Sequence, residues 1–414
     1  MKYLLASRFS EVEPLGIMYL SSALKRDDHE VDICLYKRDP YYKLLPKVLS
    51  FHPDIIGFSV YTGGHLPVYE ACDKFREHGI TTAIGGPHTI NFVQDCRSHA
   101  DYVFQGEALQ SLPKMDDQAI YPLLSVDRIP HPDRELLYSV SQFHRNNRIK
   151  NIMTSFGCPY DCSYCYNPSY KAMYTDFRVR LRPVDDVIDE ARGITAELIF
   201  FQDDCFGYSM TWLNEFVSKW NSRPYHCQMR FEQATDERLN LLVDSGCTGV
   251  TCAIECANRS VRHNLLNRHV SDETIMDGAR MIKAHGLRLR TEQMIGIPGT
   301  SLEDELELLR WNVIINPDIA WCSIYQPYRG TKLGEYCASQ GYYKGNNEDI
   351  SDTFFDGSVL NFTYERKNQI RELQKVWSVC AHLPDGHKLA REILARGQTL
   401  IESSKKHFYG LLYA

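Results

Sequence analysis

The sequence predicts an α/β protein in three parts: a doubly wound parallel domain, a partial barrel of six strand–helix units, and a small helical tail. Three observations carry this. Short apolar runs alternate with stretches of helical period over most of the chain. Several of those runs end in glycine-bearing turns. A proline-bearing stretch without a sustained period divides one set of alternations from the next.

In chain order, residues 2–6 read as a strand and 14–25 as a helix with Leu15, Tyr19, Leu20 and Leu24 on its apolar side. Residues 30–36 alternate Val31, Ile33 and Leu35 as a second strand. The near-continuous apolar run 55–60 suits a strand buried on both faces. A helix near 67–77 follows, then a strand at 82–84 ending in Gly85-Gly86-Pro87-His88, and residues 102–104 lead into Gly106-Glu107. A ligand of such a sheet lies beyond the carboxyl ends of its strands. Glycines at those turns let backbone approach a bulky ligand.

Residues 113–147, with Pro122, Pro130 and Pro132, read as a linker between a domain at 1–112 and a second at 148–332. In the second, 149–154 is a strand that delivers a cysteine-bearing loop. Further strands fall at 197–201, 226–232, 249–255, 288–295 and 321–325, and helices at 184–192, 210–221, 236–245, 272–285 and 302–315. Six such units make a partial barrel of the TIM type, with its chemistry at the carboxyl mouth of the strands. Alternation along 249–255 puts Thr251, Ala253 and Glu255 inside. An inward carboxylate is costly unless hydrogen-bonded. The region 333–414 is a helical tail, with Ile370, Leu373, Trp377 and Cys380 at helical spacing and a second helix near 388–401. Tyr336, Tyr342, Tyr343, Phe354 and Phe355 crowd its connection, either lining a cavity or joining tail to barrel.

The 414 residues, 43% of them apolar, leave ample room for a buried core. A balance of 46 basic to 53 acidic residues, −7 overall, argues against a general nucleic-acid or anionic-membrane surface. No apolar run approaches the roughly 18 residues of a membrane span, and residues 1–6 are too short for a signal peptide. The 14 cysteines are scattered rather than spaced as a disulfide framework, so a reducing cytoplasm is the expected compartment.

Three of those cysteines, Cys158, Cys162 and Cys165, form a C-x-x-x-C-x-x-C loop headed by Gly157-Cys158-Pro159, with Tyr164 before the last. Three thiolates leave a tetrahedral or cubane site one ligand short. A structural zinc site wants a fourth Cys or His, and none follows closely. An iron–sulfur cluster with one open iron fits better. Of the remaining thiols, Cys247, Cys252 and Cys256 read as small buried hydrophobes, and Cys205 is expected to pack rather than touch substrate.

The loop resembles that of the radical S-adenosylmethionine (SAM) superfamily, where three cysteines hold a four-iron–four-sulfur cluster and the fourth iron chelates SAM. The resemblance covers the whole barrel region. It implies Tyr164 near the adenine, Asp203 and Asp204 toward the methionyl amine, and Gly296-Ile297-Pro298-Gly299 as the G-x-P-G turn beside the adenine. Glu255 stands in the place of the family's I-E-S, where a ribose diol would satisfy its carboxylate.

The first domain resembles the cobalamin-binding-like domain found ahead of many radical SAM cores. Pro14-Leu15-Gly16, residues 53–59, Gly85-Gly86-Pro87-His88 and Gly106-Glu107 carry that likeness. It implies a Rossmann-like cobalamin site at Pro14, Leu15, Gly16, Ser59, Gly85, Gly86, His88, Gly106 and Glu107. The D-x-H-x-x-G motif that supplies a cobalt ligand in some relatives is absent, so neither His65 nor His88 is assigned to the metal.

The resemblance implies reductive SAM cleavage to a 5′-deoxyadenosyl radical. With cobalamin, it implies methylation of an unactivated carbon, or a phosphinate phosphorus, of a small molecule or peptide. An electron donor such as flavodoxin or ferredoxin is the expected partner. The alternatives are a radical rearrangement, ring contraction, dehydration or decarboxylation without methyl transfer, and a non-catalytic iron–sulfur module. A methylthiotransferase would carry three more cluster cysteines, whereas Cys34, Cys72 and Cys96 do not fall in one site. No residue is assigned a catalytic role.

Overall fold

The computed structural model describes residues 1–396. It divides into two compact units, one of Met1–Pro159 with Tyr166–Phe200, the other of Tyr160–Cys165 with the described residues from Phe201 onward.

The first unit opens with a parallel sheet of order β2-β1-β3-β4-β5. Its strands are β1 (Lys2–Arg8), β2 (Glu30–Tyr36), β3 (Ile55–Ser59), β4 (Thr81–Gly85) and β5 (Tyr102–Val103). Between them run α1 (Leu15–Arg26), α2 (Pro40–Phe51), α3 (Leu66–Glu77) and α4 (Val93–His99). The two faces fill separate cores, as a doubly wound sheet requires. Leu4, Ala6, Ile56, Phe58 and Ile84 pack in one. Tyr3, Leu5, Ile33, Ile55 and Ala83 pack in the other.

Helix α2 is absent from the sequence expectation. Pro46 lies inside it and Tyr42 and Leu49 are exposed, which breaks the helical period; Asp39 starts it by accepting the Tyr42 N–H at 3.1 Å. The linker is likewise not structureless. It holds α5 (Arg134–Val140) and α6 (Gln142–Asn146), capped by Asp133 and Ser141. Helices of two turns or fewer are too short to show a period.

After the linker come β6 (Ile149–Ile152) and the two-residue strands β7 (Ser155–Phe156) and β8 (Arg180–Leu181), which pair antiparallel around α7 (Asn167–Ala172). Helix α8 (Val184–Arg192) follows. A buried charge network ties this unit together. Glu13 accepts from Arg134 at 2.8 Å, from the Asn151 N–H at 2.8 Å and from Tyr138 at 2.7 Å. Glu190 accepts from Arg134 at 2.7 Å and from Arg182 at 2.5 Å.

A second, curled sheet has the order β13-β12-β11-β10-β9-β6, adding β9 (Leu198–Phe201), β10 (Tyr225–Gln228), β11 (Cys247–Glu255), β12 (Arg288–Ile295) and β13 (Ile319–Ile324). Strands β10 to β13 pair parallel. The barrel helices are α9 (Met210–Lys219), α10 (Asp236–Asp244), α11 (Asp272–Ala284) and α12 (Leu302–Ile315). Each starts at a side chain that accepts a backbone N–H: Ser209, Thr235, Ser271 and Ser301. Strand β10 stops at Gln228 rather than 232, because Phe231–Gln233 curl into a 3₁₀ turn that keeps Phe231 buried.

The tail comprises α13 (Lys332–Ser339), α14 (Tyr364–Ala381) and α15 (Gly386–Arg396). The expected extension of its last helix to 401 lies outside the described residues. Ile370, Leu373, Trp377 and Cys380 are buried, as their spacing requires. Gln374 and Ser378 donate to the Cys322 and Ala320 carbonyls at 3.3 and 3.2 Å, which lays α14 against β13. Tyr343 is buried, Phe355 meets Trp321 edge-on at 5.3 Å, and Tyr336 and Phe354 face solvent. No described helix is long and apolar enough to cross a membrane.

Candidate functional site

The first unit holds a largely apolar cavity of about 270 Å³ at the carboxyl ends of β1, β3 and β4, walled by Tyr19, Leu20 and Phe156 among others. Gly16, Ser59, Gly85, Gly86, Gly106 and Glu107 line it. Two glycines are required there. Gly86 takes φ +96°, and a Cβ on it would lie 2.8 Å from the Val60 nitrogen. Gly106 takes φ +69°, with its missing Cβ displaced by the Tyr174 hydroxyl. That hydroxyl accepts the Glu107 N–H at 2.9 Å, Tyr170 donates to Glu107 Oε1 at 2.8 Å, and Arg180 pairs with the same oxygen. Glu107 Oε2 is buried without a hydrogen-bond partner in the described protein. An unsatisfied buried oxygen on an apolar cavity suits a ligand that brings N–H donors.

The second unit assembles a different site around the later half of the cysteine loop. Ser163 donates from its N–H to the Leu266 carbonyl at 3.0 Å and from its hydroxyl to Leu265 at 2.5 Å, while its carbonyl accepts the Leu333 N–H at 2.8 Å. The Arg230 guanidinium lies 3.8 Å from the Tyr160 ring centre. So held, Tyr164 donates to Glu255 Oε1 at 2.7 Å.

Glu255 ends β11 just after a register shift against β12, and takes φ +66°. Such backbone costs a non-glycine residue of order 1–3 kcal/mol and gathers at functional sites. Burial pushes its carboxyl pKa up, opposed by Arg268 and by the Tyr164 hydrogen bond. Arg268 is itself buried, donates to the Ala253 carbonyl at 2.6 Å, and keeps a buried Nε without a partner. Ile297, fully buried, shares a core cluster with Cys256 and Tyr325, and Tyr164 packs at its edge.

Residues 1–115 match the B12 binding domain family, and residues 152–311 match the Radical SAM superfamily. The chain carries a B12-binding domain ahead of a radical SAM domain. It is similar to an uncharacterized methyltransferase of Pyrococcus horikoshii, 23% identical over 78% of each chain. A tRNA-2-methylthio-N(6)-dimethylallyladenosine synthase of Clostridioides difficile is 24% identical over 77% of this chain and 65% of its own length. Among solved structures, the radical SAM methyltransferase TsrM from Kitasatospora setae, with tryptophan and a SAM analogue bound, superposes with a TM-score of 0.65. It does so at 18% identity over 82% of this chain and 76% of that one, a likeness of fold.

Exposure separates the cysteines of the loop from the rest. Cys158 and Cys165 are half-buried and Cys162 sits at the edge of burial, whereas every cysteine outside the loop is buried. Burial pushes the Cys96, Cys205 and Cys380 thiols up to about 11 and Cys256 up to about 12, so they resist becoming thiolate ligands. Cys205 donates to Gln233 at 3.1 Å.

Other expected site residues are placed differently. Asp203 is fully buried and Asp204 exposed. Pro14 precedes α1 and Leu15 packs in a core with Met18 and Leu137; neither lines the cavity. His88 does not line it either. Its Nδ1 meets Thr62 at 2.9 Å, its Nε2 meets Tyr69 at 2.8 Å, and its ring stacks on His65 at 4.5 Å. Both nitrogens are used, and burial pushes its pKa down to about 3, so it shapes the loop as a neutral ring. Sequence reasoning missed Arg268, Arg180, Tyr170 and Tyr174, none of which sits in a recognisable motif.

Proposed function

We propose that the chain is a cobalamin-dependent radical SAM methyltransferase acting on an unactivated carbon, or a phosphinate phosphorus, of a small molecule or peptide. The observation that carries this is the glycine-faced cavity with its unsatisfied Glu107 oxygen, on the same chain as the three-cysteine loop. When bound, the cluster with SAM supplies one-electron chemistry and the corrinoid a transferable methyl group. Cys158, Cys162 and Cys165 would hold the cluster. Glu255, fixed by Tyr164, would accept from the ribose, and the Gly296-Ile297-Pro298 turn would flank the adenine.

The corrin would rest on the glycine turns, with Glu107 accepting from one of its side-chain amides. His88 is not offered to cobalt, since it is already spent on Thr62 and Tyr69. A small redox protein such as flavodoxin or ferredoxin would deliver the electron. Methylthiolation is disfavoured by one observation. Cys34, Cys72 and Cys96 are buried in a common apolar core rather than gathered at a ligand-accessible site.

The test is anaerobic reconstitution followed by iron and cobalt analysis, then incubation with methyl-deuterated SAM and a reductant. Near one corrinoid per chain, with label in the corrinoid fraction, supports methyl transfer. Reductive SAM cleavage without corrinoid retention would replace it by a rearrangement or decarboxylation.

A further inference from the structure

The turn after β12 is held by a carboxylate that none of the roles above uses. Gly296 takes φ +75°, and its N–H donates at 2.7 Å to Glu305 Oε1, from the first turn of α12. The Thr300 hydroxyl reaches the same oxygen at 3.4 Å. Glu305 is 2% exposed, and a carboxylate buried to that degree needs a cation. Arg366, in the first turn of α14, supplies it with both ends of its fork, Nη2 to Oε1 at 2.5 Å and Nη1 to Oε2 at 3.0 Å. Arg366 Nη2 also reaches the Thr300 carbonyl at 3.4 Å. Beside them Ile370 closes on Gly296 so tightly that a Cβ there would sit 3.2 Å from its Cδ1.

Docking α14 does not require this ion pair, since Ile370, Leu373 and Trp377 already bury its apolar face. Apolar residues in place of a buried pair are often as stable or more so. What the charges add is direction: they aim one backbone N–H and one backbone carbonyl of the turn.

We propose that Glu305 and Arg366 are positioning residues for SAM, and that the tail helix thereby forms part of the SAM site. Arg366 lies beyond the radical SAM match, which ends at residue 311. The proposal rests on reading Gly296-Ile297-Pro298 as a SAM contact, and the experiment separates the two.

Full-length, cluster-reconstituted protein is compared with Arg366→Gln, Arg366→Lys and Glu305→Leu/Arg366→Met, the last keeping the site filled and uncharged. Hydrogen exchange over residues 294–300, with and without SAM, is read beside equilibrium SAM binding, cluster absorbance and melting temperature. Arg366→Gln and the double variant should exchange the Gly296 amide faster and bind SAM about five- to thirtyfold more weakly. Cluster absorbance should hold in all three, and melting temperature in the double variant. Arg366→Lys should recover only part of the affinity, because an ammonium cannot fill both positions of the fork. If SAM protects 294–300 but the folded double variant binds SAM normally, the positioning role is refuted. If SAM leaves exchange of 294–300 unchanged in the unaltered protein, the turn is not a SAM contact and both ideas fall.

Discussion

Replacing Glu255 tests the centre of the proposed SAM site, because binding and backbone strain there pull in opposite directions. Its carboxylate accepts the Tyr164 hydroxyl at 2.7 Å and is proposed to accept a ligand donor as well. Losing a ligand hydrogen bond to a charged group costs about 1.5–3 kcal/mol, or roughly a tenfold to hundredfold loss of SAM affinity. Both Glu255→Ala and Glu255→Gly should show that loss. Their stabilities should differ. At φ +66° alanine keeps the strain and glycine releases it, so Glu255→Gly should be the more stable by about 1 kcal/mol. Glu255→Gln keeps the shape and part of the hydrogen bonding, and should fall between Ala and the unaltered protein in affinity. The assays are equilibrium SAM binding on reconstituted protein and denaturant unfolding of the same samples. Cluster absorbance should survive every change. Unchanged SAM affinity in Glu255→Ala would reduce the residue to a structural carboxylate and refute the pocket as drawn.

Substituting Cys158, Cys162 and Cys165 together with Ala should abolish iron–sulfur absorbance, and a full complement of iron in that variant would sink the cluster assignment. Glu107→Ala should lower hydroxocobalamin retention on gel filtration by tenfold or more at about 1.5–3 kcal/mol per charged hydrogen bond; undiminished co-elution would remove Glu107 from the corrinoid contacts. His88 carries a pH signature. Its pKa falls from the usual 6.5 to about 3 on folding, so between those values the unfolded chain binds the extra proton. Its contribution to stability is intact above pH 6.5 and is lost on acidification, by at most about 1.4 kcal/mol per pH unit. Unfolding free energies across pH 7 to 4 should therefore slope less in His88→Gln, and equal slopes would contradict a neutral buried ring.

Most strands were legible because each is a compact apolar run; at Glu255, however, the register shift and φ +66° interrupt the simple alternation along β11. What escaped was what depends on distant partners or on backbone twist. The Tyr164–Glu255 hydrogen bond spans 91 residues and the Arg366–Glu305 pair spans 61, and no local pattern announces either. Nor does a glutamate disclose a left-handed φ. The overshoot of β10 arose because Phe231 is buried in a 3₁₀ turn as thoroughly as it would be in a strand.

The buried charges around Glu13 bear on how the protein can be dissected. Glu13 and Glu190 have side chains only 2% exposed, with Arg134 bridging them and Arg182 closing the set. A fragment cut within 113–133 would strip Glu13 of its guanidinium and of the Asn151 N–H, stranding a buried charge at about 3–5 kcal/mol, a large part of a small domain's stability. An isolated amino-terminal fragment should therefore express poorly unless Glu13 is also replaced. The proline-rich stretch that reads as a joint behaves as a keystone.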